Sequence, residues 1–451
     1  MRSDGVLPVE LPDAVREALL APLVDQNCHG VRRDDLTRAR FETLLSDAGT
    51  PAPPGTTHFD TPVGTAVRRW CAPVLGLAPH VPPAVYLARR AELGATEVNR
   101  RLLGAAGIAT FLFDGFDRFD GLDSDLDGDL DGDLDGDLDG DLDGDLGRPE
   151  VLPPAEMGQA GGAGTARVVH IERAEEEVAR TAVSGVSYIS ALAQSLAARA
   201  VRAVALKSVT AHRSGFHLDP ARPSRGAVIA AATRRLACPG ERLIDQVLLR
   251  HLLWTAVDVA REYGRPLQFH TGHPHYGGAR QGVHAGRGGR AVHGGRVDAG
   301  AFGTPDAVEG HAVPGRYGTG PAPMTGFIMA VQPVGVPVVL LHCHPFHRRA
   351  AYLAGVLPHV YVDVGAALTR SATGSAAVMA ELLELAPFHK QLFGSGGHGV
   401  AETCHLGALH YRRGLAGALA ARLADGEWSA SDAVRVAQMI GSGNARRIYR
   451  L

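Results

Sequence analysis

Eight short runs rich in Val, Ile, Leu and Phe, separated by longer amphipathic stretches, constrain this 451-residue chain more than any other feature. They lie at 21–29 (APLVDQNCH), 108–114 (IATFLFD), 166–172 (ARVVHIE), 203–207 (AVALK), 266–270 (PLQFH), 337–344 (PVVLLHCH), 359–365 (HVYVDVG) and 390–395 (KQLFGS). Runs this apolar and this short fit strands buried on both faces. Parallel neighbours of that kind need a crossover, usually a helix, between them. Helical periodicity supplies it over 85–103, 174–198, 242–263, 348–357, 375–385 and 402–421. No Gly-rich fingerprint follows the first run, which removes the main reason to expect a dinucleotide-binding sheet. The pattern predicts an α/β protein, a closed (β/α)8 TIM barrel formed as one domain over 20–451.

Two segments stand outside that pattern. A tetrapeptide repeat of Asp-Gly-Asp-Leu lies within 120–146, inside a low-complexity acidic and Gly-rich insertion at 117–165. Asp at every second position repels itself and leaves no apolar face, so the repeat is expected to be a disordered, solvated loop. Alternating Asp resembles a calcium loop, but the closing bidentate Glu and the flanking helices are missing. The second segment, 276–323, is Gly-rich with dispersed Arg and His and is expected to form a loop over the barrel mouth.

The repeat also explains the charge. Residues 114–145 carry fifteen Asp and one Arg, a local −14, so the overall −3 leaves the remaining chain at +11. Arginine makes up most of that excess and is spread along helices rather than gathered in one aromatic-bearing patch, which argues against nucleic acid as a partner. No run approaches the ~18 apolar residues of a membrane span. The N-terminus shows no secretory signal, and the five cysteines are scattered without CxxC spacing. Those features fit a cytoplasmic protein with a small-molecule substrate. They leave the oligomeric state open, a homo-oligomer included.

In a barrel, function collects at the C-terminal ends of the strands and in the loops just beyond. Those positions hold Asn27 and His29, Asp114, Glu172, Lys207, His270, His342 and His344, Asp363, and Ser395 with Gly396. Unpaired polar groups in strand interiors cost kilocalories, so this many in register is read as a site. Neutral imidazole suits zinc and similar ions, which makes His29, His270 and His342 metal-ligand candidates. Strand alternation places Asn27 and His29 on one inward face, and His342 and His344 on another. Lys207 is one of only two lysines, with Lys390. It could act as a charge partner to Glu172 or Asp114, as a base, or as a carboxylated metal bridge. Arg213 offers a planar fork for a substrate carboxylate.

The segments VDQNCHG, ALKSVTAHRSGF, LQFHTG, VVLLHCHPFHRRAAYL, VYVDVG and LFGSGGHGVAE together resemble the amidohydrolase-related metal-dependent hydrolases. The branch most resembled is that of the N-terminal half of nodulin/glutamine-synthetase fusion proteins. The resemblance runs from about residue 20 to the C-terminal NARRIYRL, omitting the repeat and the Gly-rich segment. It implies a divalent metal, zinc for preference, held by His29, His270 and His342, with Lys207 or Glu172 as an added ligand. The metal would lower the pKa of a bound water and polarise a carbonyl. In the family a strand-eight aspartate then moves the proton.

The chain departs from that pattern twice. Asn27 stands where the first histidine of an H-x-H pair is expected, and Gly396 stands where the aspartate is expected. An amide oxygen is a poorer zinc ligand, and glycine cannot shuttle a proton. His398 and Asp363 are candidate stand-ins. The expected function is therefore metal-dependent hydrolysis of an amide-like C–N bond at a degraded metal site. His342, Lys207 and His398 are its candidate catalytic groups, and Arg213, His344 and Asp363 its candidate substrate contacts. A catalytically impaired barrel that binds a ligand or partner is the alternative, as is a metal-dependent decarboxylase or lyase.

Overall fold

The computed structural model describes residues 7–46, 50–114, 151–210, 219–271 and 320–451. The acidic repeat, nearly all of the Gly-rich segment, and Arg213 lie outside the described residues. Residues 151–165, the end of the span assigned to the acidic insertion, form the helix Pro154–Gly161 and the start of a strand.

Each of the eight apolar runs overlaps a strand. These are β1 Leu23–Val31, β2 Ile108–Asp114, β3 Gly164–His170, β4 Ala205–Ser208, β5 Leu267–His270, β6 Val338–Leu341, β7 Val360–Asp363 and β8 Gln391–Leu392. A short ninth, β9, spans Gly397–Gly399. All pairs are parallel, in the order β8-β7-β6-β5-β4-β3-β2-β1-β9. The two ends of that order are joined by residues 393–396, which bond to β1. Gln26 N donates to Phe393 O at 3.2 Å and Gly396 N to Asn27 O at 3.1 Å. The sheet thus returns on itself in the manner of an α/β barrel.

Period-two alternation sorts the strand side chains into two cores. Val338 and Leu340 join the large outer core between sheet and helices, while Val339 and Leu341 join a small inner one. The inner core also holds Val24, Leu112, Val168, Ala205 and Leu392. Ile448 and Tyr449 of the last helix, Asn444–Tyr449, close it from the N-terminal end. Parity then aims Asp114, His170 and Lys207 inward above that layer, because each lies two residues beyond Leu112, Val168 and Ala205. Phe111, Phe113, Leu206, Phe269 and Val362, on the opposite parity, pack outward.

Helices occupy the expected gaps. Pro83–Ala106, Gln246–Tyr263, His347–Val356, Ser375–Leu385 and Ala401–Ala424 match five stretches of apolar periodicity. The stretch 174–198 is two helices, Ile171–Thr181 and Gly185–Ala200. Ser184 separates them by capping the second, its hydroxyl accepting from Ser187 N. Among the described residues no helix is long and apolar enough to cross a membrane.

Candidate functional site

The inward residues at the strand ends form one connected cluster. His29 Nδ1 donates to Asp114 Oδ1 at 2.9 Å, and the other Asp114 oxygen accepts from the Lys207 ammonium. Lys207 Nζ also donates to Asn27 Oδ1 at 2.9 Å. That bond fixes the Asn27 amide, because only its oxygen can accept from an ammonium. The amide nitrogen therefore faces His342 Nε2, 3.0 Å away, and donates to it. His342 accordingly accepts at Nε2 and carries its proton at Nδ1.

Three imidazoles meet here. The His29 and His342 rings are 6.4 Å apart between centroids, and His270 lies 4.3 Å from His342. A fourth, His398 of β9, meets the His29 ring edge-on at 6.0 Å. Desolvation holds its pKa down to about 3, and the neighbouring His29 adds to the effect. Asp114 feels an opposite balance. Burial opposes its charge, but His29 and Lys207 outweigh burial and hold the carboxyl well below the usual carboxylate range. The His29 and Asp114 side chains are each 8% exposed, and that of Lys207 is fully covered.

A second, deeper layer fixes the first. Asp363 Oδ1 accepts from the backbone amides of His342 at 2.9 Å and Gly365 at 3.0 Å, and Oδ2 accepts from Gln26 Nε2. Burial lifts Asp363 to about 6 despite those bonds. Gln268 Nε2 donates to Tyr449 Oη at 2.8 Å and to Gln26 O at 3.1 Å, which ties the C-terminal helix to the floor of the site. On the outer side of β1, Asp25 accepts from Ser395 N at 2.8 Å and from Ser395 Oγ at 2.5 Å. Burial raises this carboxyl from 3.8 to about 7.

Several expected site residues are placed differently. Strand β3 ends at His170, so Glu172 sits in the first turn of the following helix instead of facing the barrel. Its Oε1 accepts from Ser208 Oγ at 2.6 Å, Thr210 Oγ1 at 2.9 Å and Val209 N at 3.0 Å, clamping the chain that leaves β4. Strand β6 ends at Leu341. His342 and Cys343 take φ of +64° and +55°, so strand alternation stops there, and His344 stacks on His347 at 5.5 Å. Left-handed backbone at two consecutive non-glycine residues is uncommon and gathers at functional sites. Asp363 is fully buried and holds the His342 backbone.

Gly396 is constrained as well. Its φ is +60°, and a Cβ there would stand 2.9 Å from the Cβ and 3.1 Å from the Cα of Ala366. A side chain at 396 would meet the helix Gly365–Ser371. A Cβ at Gly394, by contrast, would stand 3.1 Å from Asp363 Oδ2 and 3.3 Å from the Asn27 Cβ.

Solved structures share this architecture. A protein of Lactobacillus casei ATCC 334 named as a metal-dependent hydrolase superimposes with a TM-score of 0.69 at 20% identity, over 98% of each chain. The chain shares the fold of that protein. Uronate isomerase of Thermotoga maritima follows it over 100% of this chain and 99% of its own, with a TM-score of 0.58 at 10% identity. Glucuronate isomerase of Caulobacter crescentus does so over 100% and 97%, with a TM-score of 0.57 at 13% identity. In sequence, Protein fluG of Emericella nidulans is 32% identical over 118 residues, which span 26% of this chain and 14% of the fungal protein. No protein-family model matches the chain.

The donors of this barrel do not fit a divalent ion as they are arranged. The Asn27 oxygen accepts from Lys207, its nitrogen donates to His342 Nε2, and His29 Nδ1 is held by Asp114. Among the described residues no three His, Cys, Asp or Glu side chains are grouped to hold a metal. The far nitrogen of His29 keeps a ligand-like character, since a carboxylate on Nδ1–H leaves Nε2 to ligate. Nε2 is buried and has no hydrogen-bond partner among the described residues.

Proposed function

We propose that this chain is an amidohydrolase-type hydrolase acting on an amide-like C–N bond of a small molecule, with a site that has departed from the family's metal chemistry. The observation that carries the reading is the Asp114–His29 pair. A carboxylate holding Nδ1–H of an imidazole fixes its tautomer and leaves Nε2 as the basic nitrogen. Its buried position at the barrel mouth suits removal of a proton from water. The Lys207 ammonium, 0% exposed and next to the same carboxylate, supplies positive charge where a carbonyl oxygen gains negative charge. His342 is a positioning residue in this scheme, since its Nε2 accepts from Asn27.

Ammonia release from a panel of small amides, γ-glutamyl amides included, tests the proposal. His29→Gln and Asp114→Asn should each lower kcat by about 10²–10⁴-fold, the usual worth of general base catalysis. Turnover that survives both substitutions would remove the assigned base. A wild-type protein that hydrolyses no amide yet binds one would instead mark a ligand-binding barrel.

A further inference from the structure

We infer that the Lys207 ammonium takes the place of the divalent ion in this barrel, so that the site carries its cation as part of the chain. The inference concerns the same site as the hydrolase reading, but it rests on side-chain geometry and does not depend on turnover.

Lys207 is the residue on which the cluster converges. It bonds directly to Asn27 Oδ1 and to Asp114, and through them it is linked to His342 Nε2 and His29 Nδ1. Four of the six side chains that sequence assigns to a metal are thereby connected to one another, with the ammonium at the centre. An ammonium is a compact positive charge with three donors and no acceptor, so it needs acceptors around it. Asn27 meets that need with its amide oxygen, while its amide nitrogen donates to His342 Nε2. Asn27 and Lys207 therefore belong together as one device. Full burial of Lys207 fits the same reading, because a buried ammonium persists only when a carboxylate and hydrogen bonds compensate it.

Equilibrium dialysis of the full chain against Zn²⁺ and Mn²⁺, together with thermal unfolding, tests this. Wild type should retain less than about a tenth of an equivalent of either ion and show no ion-dependent rise in Tm. Lys207→Ala opens the space and frees the Asn27 amide oxygen and one Asp114 oxygen beside His29 Nε2, so it should take up about one equivalent of zinc and gain Tm with it. Its Tm should also rise with propylammonium, which replaces the atoms removed, and not with propanol. Lys207→Met fills the space without charge and should respond to neither cation. Zinc uptake or propylammonium rescue in Lys207→Ala supports the inference. A full equivalent of a divalent ion on wild type overturns it, with no variant needed. So does a folded Lys207→Ala that responds to neither cation. A protein inactive on every amide leaves all of these outcomes unchanged, so the two proposals fail separately.

Discussion

Lys207 donates to the Asn27 amide oxygen at 2.9 Å, and that one bond determines that His342 meets the amide nitrogen. Three strands distant in sequence, β1, β4 and β6, are thereby held in one orientation. Removing the charge at 207 leaves the Asp114 carboxylate buried with only His29 to balance it. Lys207→Met should therefore lower stability by about 3–5 kcal/mol in urea unfolding. Adding Asp114→Asn should recover most of the loss, because the uncompensated charge is then gone. A double variant no more stable than the single one would show that the pair is not coupled.

Position 396 bears on whether the family's aspartate can simply be restored. With φ at +60° and Ala366 within 3 Å of a new Cβ, any side chain there is strained. Gly396→Ala and Gly396→Asp should each cost about 1–3 kcal/mol, measured by chemical denaturation. Neither should raise amide turnover. A Gly396→Asp variant as stable as wild type, with higher turnover, would mean that residues 393–396 can adopt another path.

Asp25 gives the site a pH dependence of definite sign. Its carboxyl titrates at about 7 in the folded protein against 3.8 for the free group, because burial disfavours the anion. The folded state thus binds this proton more tightly than the unfolded chain does. Its contribution to stability is complete below about pH 4 and is lost as pH rises towards about 7. Asp25→Asn removes that dependence and keeps a polar partner for Ser395. Relative to wild type, its urea midpoint should rise steadily from pH 4 to pH 7. A constant difference across that range would place the Asp25 titration elsewhere.

Much of this arrangement is legible in the sequence. The eight apolar runs each overlap a strand, and strand parity puts Lys207 and His270 on the inner face; Asn27 and His29 share one face, which is the inner one only because the register of β1 shifts between Asp25 and Cys28. What escapes comes from the ends of strands, where parity stops being informative. The run 166–172 suggests Glu172 as the end of β3, but the strand closes two residues earlier at His170, in phase with Val168 of the inner core. That phase is visible in ARVVH and favours the earlier end. Extending β6 in phase would set His342 and His344 outward with Val338 and Leu340, yet His342 and Cys343 turn left-handed and His342 joins the cluster, and nothing in HCH signals such a turn. Asp25, Gln26, Gln268 and Tyr449 carry no local signal because their partners are up to hundreds of positions away. Their meaning is tertiary, and only the closed packing of sheet and C-terminal helix supplies it.

The most direct test is a crystal structure of the protein soaked with zinc and measured at the zinc absorption edge. The account predicts Lys207 Nζ within hydrogen-bond distance of both Asn27 Oδ1 and Asp114, with no anomalous peak between His29 and His342. A zinc ion ligated by both imidazoles, with Lys207 swung aside or carboxylated onto the metal, would contradict it.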